Sequence, residues 1–246
     1  MAASSIPISS QGASDFAATR WTIVLTAGDL QAGSRARNAL AELSQVYWFP
    51  LYAYLRRQGK SAAEAEDLTQ SFFAHLIEKN ALGTADRAKG KFRTFLLTAF
   101  QNFVISEYHK DMTLKRGGGK ILHLDALAAE NRYYQEPASE LSPERVYEQR
   151  WAWAVLDQVL AKLREQYRKR GQGALFDAIQ TSILPAPEAT PSTQLAQDLG
   201  MTPEALNVAI HRLRRRYREL VRAEIAQTVA DPSLIEEEIQ YLLSCL

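Results

Sequence analysis

Leu206, Ile210, Leu213, Tyr217 and Leu220 recur at spacings of four and three, which lays one apolar stripe along an α-helix. The stripe begins after Thr202-Pro203-Glu204, a strong start signal. Thr202 suits the N-cap, Pro203 has no N–H to lose at the first helical position, and Glu204 complements the helix dipole. Just upstream, Ser192 and Thr193 can cap a short helix carrying Leu195, Ala196 and Leu199, and Gly200 supplies the break. The remaining faces of the second helix show Asn207, His211, Arg212, Arg214, Arg215 and Arg218. Two helices joined by a Gly-containing turn, the second basic on its outer side, form the pattern of a helix-turn-helix.

The rest of the chain is also helical in pattern, and no stretch reads as a strand. Asp15 onward carries Phe16, Trp21, Ile23, Val24 and Leu25 on a short helix, after a Ser/Ala-rich tail over residues 1–14. Gly33 to Gly59 places Leu40, Leu43, Tyr47, Leu51, Tyr54 and Leu55 on one side, with Pro50 expected to kink or split it. Ser61 and Glu64 make a capping box for a helix with Ala65, Leu68, Phe72, Leu76 and Ile77 inward and Glu66, Asp67 and Gln70 outward. The next helix, Phe92 to about Lys110, is aromatic: Phe92, Phe95, Phe100, Phe103 and Tyr108. Phe95 and Phe103 are expected to pack, but a small module cannot hide every one of these rings.

Lys115 to Lys120 breaks all periodicity, and residues 113–145 read as a flexible linker. Ser142-Pro143-Glu144 caps a helix with Trp151, Leu156, Val159, Leu160 and Leu163 on its apolar face, and Leu175 to Ile183 forms another. Asp231-Pro232 opens a last helix on which Ile235, Ile239, Leu242 and Leu246 share a face, with Glu236, Glu237 and Glu238 near its start. The expected fold is all-α: a tail (1–14), a helical module (15–112), the linker, a helix-turn-helix module (146–225) and an acidic C-terminal helix (226–246).

Composition refines this picture. The formal net charge of +1 over 246 residues conceals basic clusters at Arg87 to Arg93, Lys110 to Lys120 and Arg212 to Arg222, against an acidic C-terminus. Local fields of that kind suit a nucleic-acid partner. Cys245 is the only cysteine and the four histidines are scattered, so neither a metal site nor a cofactor is expected. No signal peptide or bilayer-long apolar run is present, and the expected location is the cytoplasm. Glu66 and Asp67 are adjacent carboxylates pointing apart on a helix, without a nucleophile or phosphate loop, so no enzyme is expected.

The chemistry that remains is recognition. A helix fits the major groove with its first turns at the base edges and its arginines at phosphates. Rings beside cations, as in Lys89, Lys91, Phe92, Arg93 and Phe95, suit unpaired bases and their backbone.

Asp67-Leu68-Thr69-Gln70 with Phe72-Phe73, then Phe92-Arg93-Thr94-Phe95-Leu96 and Asn102, resembles the second region of bacterial RNA polymerase sigma factors. The helix-turn-helix resembles their fourth region, and the two-module layout resembles the small extracytoplasmic-function (ECF) class. The likeness covers about residues 15–112 and 146–225. It implies that Asp67 and Gln70, with Glu66 beside them, dock on core RNA polymerase. It implies that Lys89, Lys91, Phe92, Arg93, Phe95 and Asn102 capture the melted downstream promoter element. Phe95 stands where the family often has Trp. Thr202, Glu204, Asn207, Val208, His211, Arg212, Arg214, Arg215 and Arg218 then face the duplex upstream element. An anti-sigma factor is a candidate further partner. The chain departs from the family in the Pro-rich loop before Pro191 and in Ala205 to Ala209, where a Gly-Thr-Val-Lys-Ser type of sequence is common.

The alternative is a helix-turn-helix regulator whose first module senses a ligand or dimerises; it predicts a symmetric duplex site. For the C-terminal helix, the first expectation is an accessory element packed on the second module. The second is autoinhibition, with its glutamates lying against Arg212 to Arg218.

Overall fold

The computed structural model describes residues 33–78, 91–113, Tyr133, 140–183, 193–229 and 231–246. All regular structure among them is helical: α1 (Gly33–Arg57), α2 (Ala62–Glu78), α3 (Phe92–Thr113), α4 (Pro143–Lys169), α5 (Gly173–Ile179), α6 (Thr193–Asp198), α7 (Pro203–Ala226) and α8 (Ile235–Ser244). One-turn 3₁₀ segments occupy Gln180–Ser182 and Pro232–Leu234. The short helix expected near Trp21, the loop carrying Lys89 and most of the expected linker lie outside the described residues.

α1 is the central element. Residues 46–55 are buried without a break, so this half of the helix is covered on every side instead of presenting one apolar stripe. The same burial explains why Pro50 does not split it. The missing N–H and the ring clash at Pro50 disfavour the helix locally, yet α1 runs through to Arg57 because its neighbours are fixed by packing. Gly59, at φ +88°, then supports the turn into α2.

The capping box at the start of α2 forms as the sequence predicts. Ser61 N–H and Oγ–H both donate to Glu64 Oε2, at 3.0 and 2.7 Å, and Glu64 N–H donates to Ser61 Oγ at 3.3 Å. α2 then turns Ala65, Phe72 and Leu76 inward against α1, while α3 contributes Phe92, Leu96, Phe100 and Phe103. Phe72 meets Phe100 and Phe103 with centroids 5.0 and 5.5 Å apart. Each such fully buried phenylalanine contributes about 1.5–3 kcal/mol.

As the sequence suggests, not every ring of α3 is hidden, since Phe95 is half-buried and Tyr108 is 60 % exposed, but the core draws on more than the first three helices. Ser142 caps α4 by accepting from Arg145 N–H, and the first half of α4 inserts Tyr147, Trp151, Ala152, Val155 and Val159 into the α1–α3 core. Val221 and Ile225 from the end of α7, and Ile235 and Leu242 from α8, join the same cluster. Tyr133, inside the expected linker, packs against it with the Arg56 guanidinium 5.1 Å from its ring centroid. The second half of α4 leads elsewhere. Leu163 and Tyr167 build a second core with Phe176, Ile179, Ala196, Leu206, Ile210 and Leu213. α4 therefore belongs to both cores, and the first core extends past the expected boundary at residues 113–145.

The C-terminal helix packs on the end of α7 and on the first core, burying Ile235, Glu238, Leu242 and Cys245. Leu246, expected on the inward face, is 44 % exposed. It lies beyond the last helical residue, where the 3.6-residue repeat no longer sets its direction.

Candidate nucleic-acid interface

α6, the turn at Leu199–Gly200 and α7 occupy the stretch that the sequence reads as a helix-turn-helix. Gly200 adopts φ +64°, a conformation that costs other residues a steric penalty. Gly200 N–H donates to Gln197 O and Met201 N–H to Ala196 O, closing the end of α6. Thr202 caps α7, its Oγ1 accepting from Ala205 N–H at 3.2 Å. With Leu206, Ile210 and Leu213 buried, helical geometry turns Thr202, Glu204, Asn207, Val208, His211, Arg212, Arg215 and Arg218 to the exposed side. Val208 is an apolar spot on that face, 48 % exposed.

Arg214 differs from its neighbours. It is half-buried, and its Nε donates to Ser182 O at 2.7 Å, tying α7 to the 3₁₀ turn after α5. Arg215 Nε pairs with Glu219 Oε1 one turn along, at 3.0 Å, and Arg216 reaches Glu219 and Gln166.

The α2 residues expected to meet polymerase stand on the outer side of that helix. Asp67 is exposed, whereas Glu66 and Gln70 are half-buried and joined by a hydrogen bond from Gln70 Nε2 to Glu66 Oε1 at 2.9 Å.

The start of α3 is arranged differently from the surface that its sequence suggests. Phe92 is fully buried, edge-on to Tyr47 at 5.4 Å, so as placed it offers no face to a base. Arg93 is buried as well. Its guanidinium carbon lies 4.0 Å from the Tyr241 ring centroid and 5.0 Å from that of Trp151, and Nη1 is 3.1 Å from Glu238 Oε1. Tyr147 Oη donates to the Arg93 carbonyl at 2.9 Å, and Phe92 N–H donates to Thr228 O. Phe95 is half-buried beside Phe92. Asn102 is exposed on a face it shares with Thr94 and Thr98, the accessible polar stripe of α3.

Lys91 reaches the same carboxylates, with Nζ 2.9 Å from Glu237 Oε1 and 3.0 Å from Glu238 Oε2. Partial burial works to lower its pKa, but the two carboxylates outweigh this and hold it above the ordinary lysine value. The hydrogen bond from Lys91 in turn draws the Glu237 pKa down. Burial, with Glu148 nearby, raises the Tyr241 hydroxyl. Glu236 pairs with Arg222 on α7. The acidic helix therefore contacts Lys91, Arg93 and Arg222, and not the Arg212 to Arg218 stretch proposed from sequence. The reason is the path of the chain: after the turn at Gln227–Thr228 it folds back to the last turns of α7 and the start of α3, so its glutamates meet Arg222, one turn beyond Arg218, and the cations of α3. Trp151, Tyr241 and Glu238 were not predicted as parts of this site. The acidic triplet was visible in the sequence, but no local spacing names its partners.

Residues 50–112 match the family model of sigma-70 region 2. The match supports an RNA polymerase sigma factor. It spans α1 from Pro50 onward, all of α2 and nearly all of α3, including the Asp67 face and the Arg93 site. Region 2 belongs to non-enzymatic subunits that bind core RNA polymerase and act in promoter recognition and melting. No curated protein and no solved structure matches the chain. No described helix is long and apolar enough to cross a membrane.

Proposed function

We propose that this chain is a sigma factor of the ECF class, acting in the cytoplasm, with one helical half for polymerase and opened DNA and a second half for the closed duplex. The carrying observation is the sigma-70 region 2 match across α1–α3, on which Asp67 stands exposed. In this reading Asp67, with Glu66 and Gln70 beside it, docks on a basic surface of core RNA polymerase. The accessible side of α3 at Asn102, with Lys91, Phe95 and the Lys89 loop, takes the melted element, and Arg93 joins once the C-terminal contact is released, while Phe92 stays in the core.

The exposed side of α7 is assigned to the upstream duplex. Thr202, Glu204, Asn207, Val208 and His211, nearest its N-terminus, are suited to base edges, and Arg212, Arg215 and Arg218 to phosphates. Arg214 has a positioning part through Ser182. The protein carries out no chemistry; it supplies salt-dependent backbone affinity, duplex specificity and preference for unpaired bases.

Run-off transcription with core polymerase tests this reading. Addition of the chain is expected to produce discrete transcripts from a subset of promoter fragments. A polymerase that initiates identically with and without it contradicts the proposal.

A further inference from the structure

The C-terminal helix covers cations that the sigma reading assigns to nucleic acid. The Arg93 side chain is only 6 % exposed, so no phosphate reaches it while α8 stays in place. Glu237 and Glu238 occupy the positions around Lys91 and Arg93 that phosphate oxygens would take, and Tyr241 covers the guanidinium from the same helix.

We propose that α8 is an internal competitor for nucleic acid, holding Glu237 and Glu238 on Lys91 and Arg93 until it is displaced. This rests on the sigma reading of α3 and adds to it a closed state of the same site.

Three features suit a releasable contact better than a permanent staple. First, the buried pair is poorly bonded. Arg93 Nε lacks a hydrogen-bond partner among the described residues, and the Arg93 Nη1–Glu238 Oε1 contact is not aligned for one. Desolvation then offsets much of the Coulomb attraction. Second, two of the three glutamates are peripheral: Glu237 is 65 % and Glu236 64 % exposed, where water and salt screen their contacts. Third, α8 spans ten residues, a length that is marginal as an isolated helix. Once detached it loses its fold, and the acidic groups disperse. Glu236 also pairs with Arg222 at the end of α7, an exposed contact that helps to hold the start of α8 in place.

The test uses the full chain carrying Glu236→Gln and Glu237→Gln, with Glu140→Gln and Glu165→Gln as a control of equal charge change on exposed sites remote in sequence. Affinity for a fluorescent single-stranded oligothymidylate is measured by anisotropy at low salt. The α8 variant is expected to bind about 3- to 10-fold more tightly than the control, the size set by two weakened exposed ion pairs. Adding Lys91→Ala to the α8 variant should cancel that gain. Affinity equal to the control, or a gain that survives Lys91→Ala, overturns the competitor. Run-off transcription by the same proteins separates the two claims. Transcription by the wild-type chain with no oligonucleotide gain in the variant refutes the competitor and leaves the sigma reading standing. A Lys91-dependent gain without any transcription upholds the competition and refutes the sigma reading.

Discussion

Arg93 at the start of α3 and Glu238 in α8 meet 3.1 Å apart in the interior, each side chain almost completely shielded from water. Removing one partner of such a pair leaves a buried charge without its counterion. Glu238→Ala is therefore expected to lower the unfolding free energy by about 3 kcal/mol. The apolar double variant Arg93→Met/Glu238→Leu should recover most of that loss, because it removes both desolvation costs. Urea denaturation at a constant m-value checks this. A single-variant cost below about 1 kcal/mol would show that the pair is hydrated in solution.

Lys91 and Glu237 give the acidic contact a defined pH window. The Glu237 pKa is held below its ordinary value, so its contribution is complete above the ordinary carboxylate range and disappears as pH falls through the depressed value. The Lys91 pKa is raised, so its contribution is complete below the ordinary lysine value and disappears as pH climbs through the raised one. Carboxyl-carbon NMR of Glu237 should show a midpoint below that of a free glutamate, shifting upward in Lys91→Ala. A midpoint insensitive to Lys91 contradicts the pairing.

Gly200→Ala isolates backbone strain in the turn between α6 and α7. A Cβ there meets nothing within 4 Å, so no clash is involved, but φ +64° disfavours alanine. The expected cost is about 1 kcal/mol, with Gly200→Asn milder. Thermal unfolding of the two variants measures the difference, and an unchanged Tm for Gly200→Ala contradicts the left-handed turn.

Arg214 and Arg215 are neighbours with different tasks, and their alanine variants should separate. Arg215→Ala is expected to weaken all upstream duplex sequences alike and to reduce the slope of log affinity against log salt by about 1. Arg214→Ala should act through stability instead, since it frees the carbonyl of Ser182. Holoenzyme binding titrated over several salt concentrations distinguishes them. An identical slope for wild type and Arg215→Ala removes Arg215 from the phosphate contacts.

Local signals were readable because their causes are local. The Ser61/Glu64 box, the Thr202-Pro203 start, the Gly200 break and the exposed side of α7 all depend on residues within one or two turns, and each appears where the sequence places it. The failures have one physical origin: burial is decided by distant segments. Of the kink or split expected at Pro50, the split does not occur, because α1 is enclosed by segments that nothing nearby reveals. Phe92 and Arg93 looked like surface because the groups packed on them, Tyr47 on the first and Trp151, Glu238 and Tyr241 on the second, come from other helices. Arg214 resembled its neighbours until Ser182 was beside it. The acidic triplet announced an electrostatic contact, but its partner depended on a chain reversal at Thr228.

Asp67 carries the central claim most directly, since it is exposed on α2 and its replacement disturbs no core. Binding of the full chain to immobilised core RNA polymerase should be saturable for wild type and lost for Asp67→Lys, with the two proteins giving the same circular dichroism. Equal binding by both would contradict docking through this face, and absence of wild-type binding would contradict the sigma account itself.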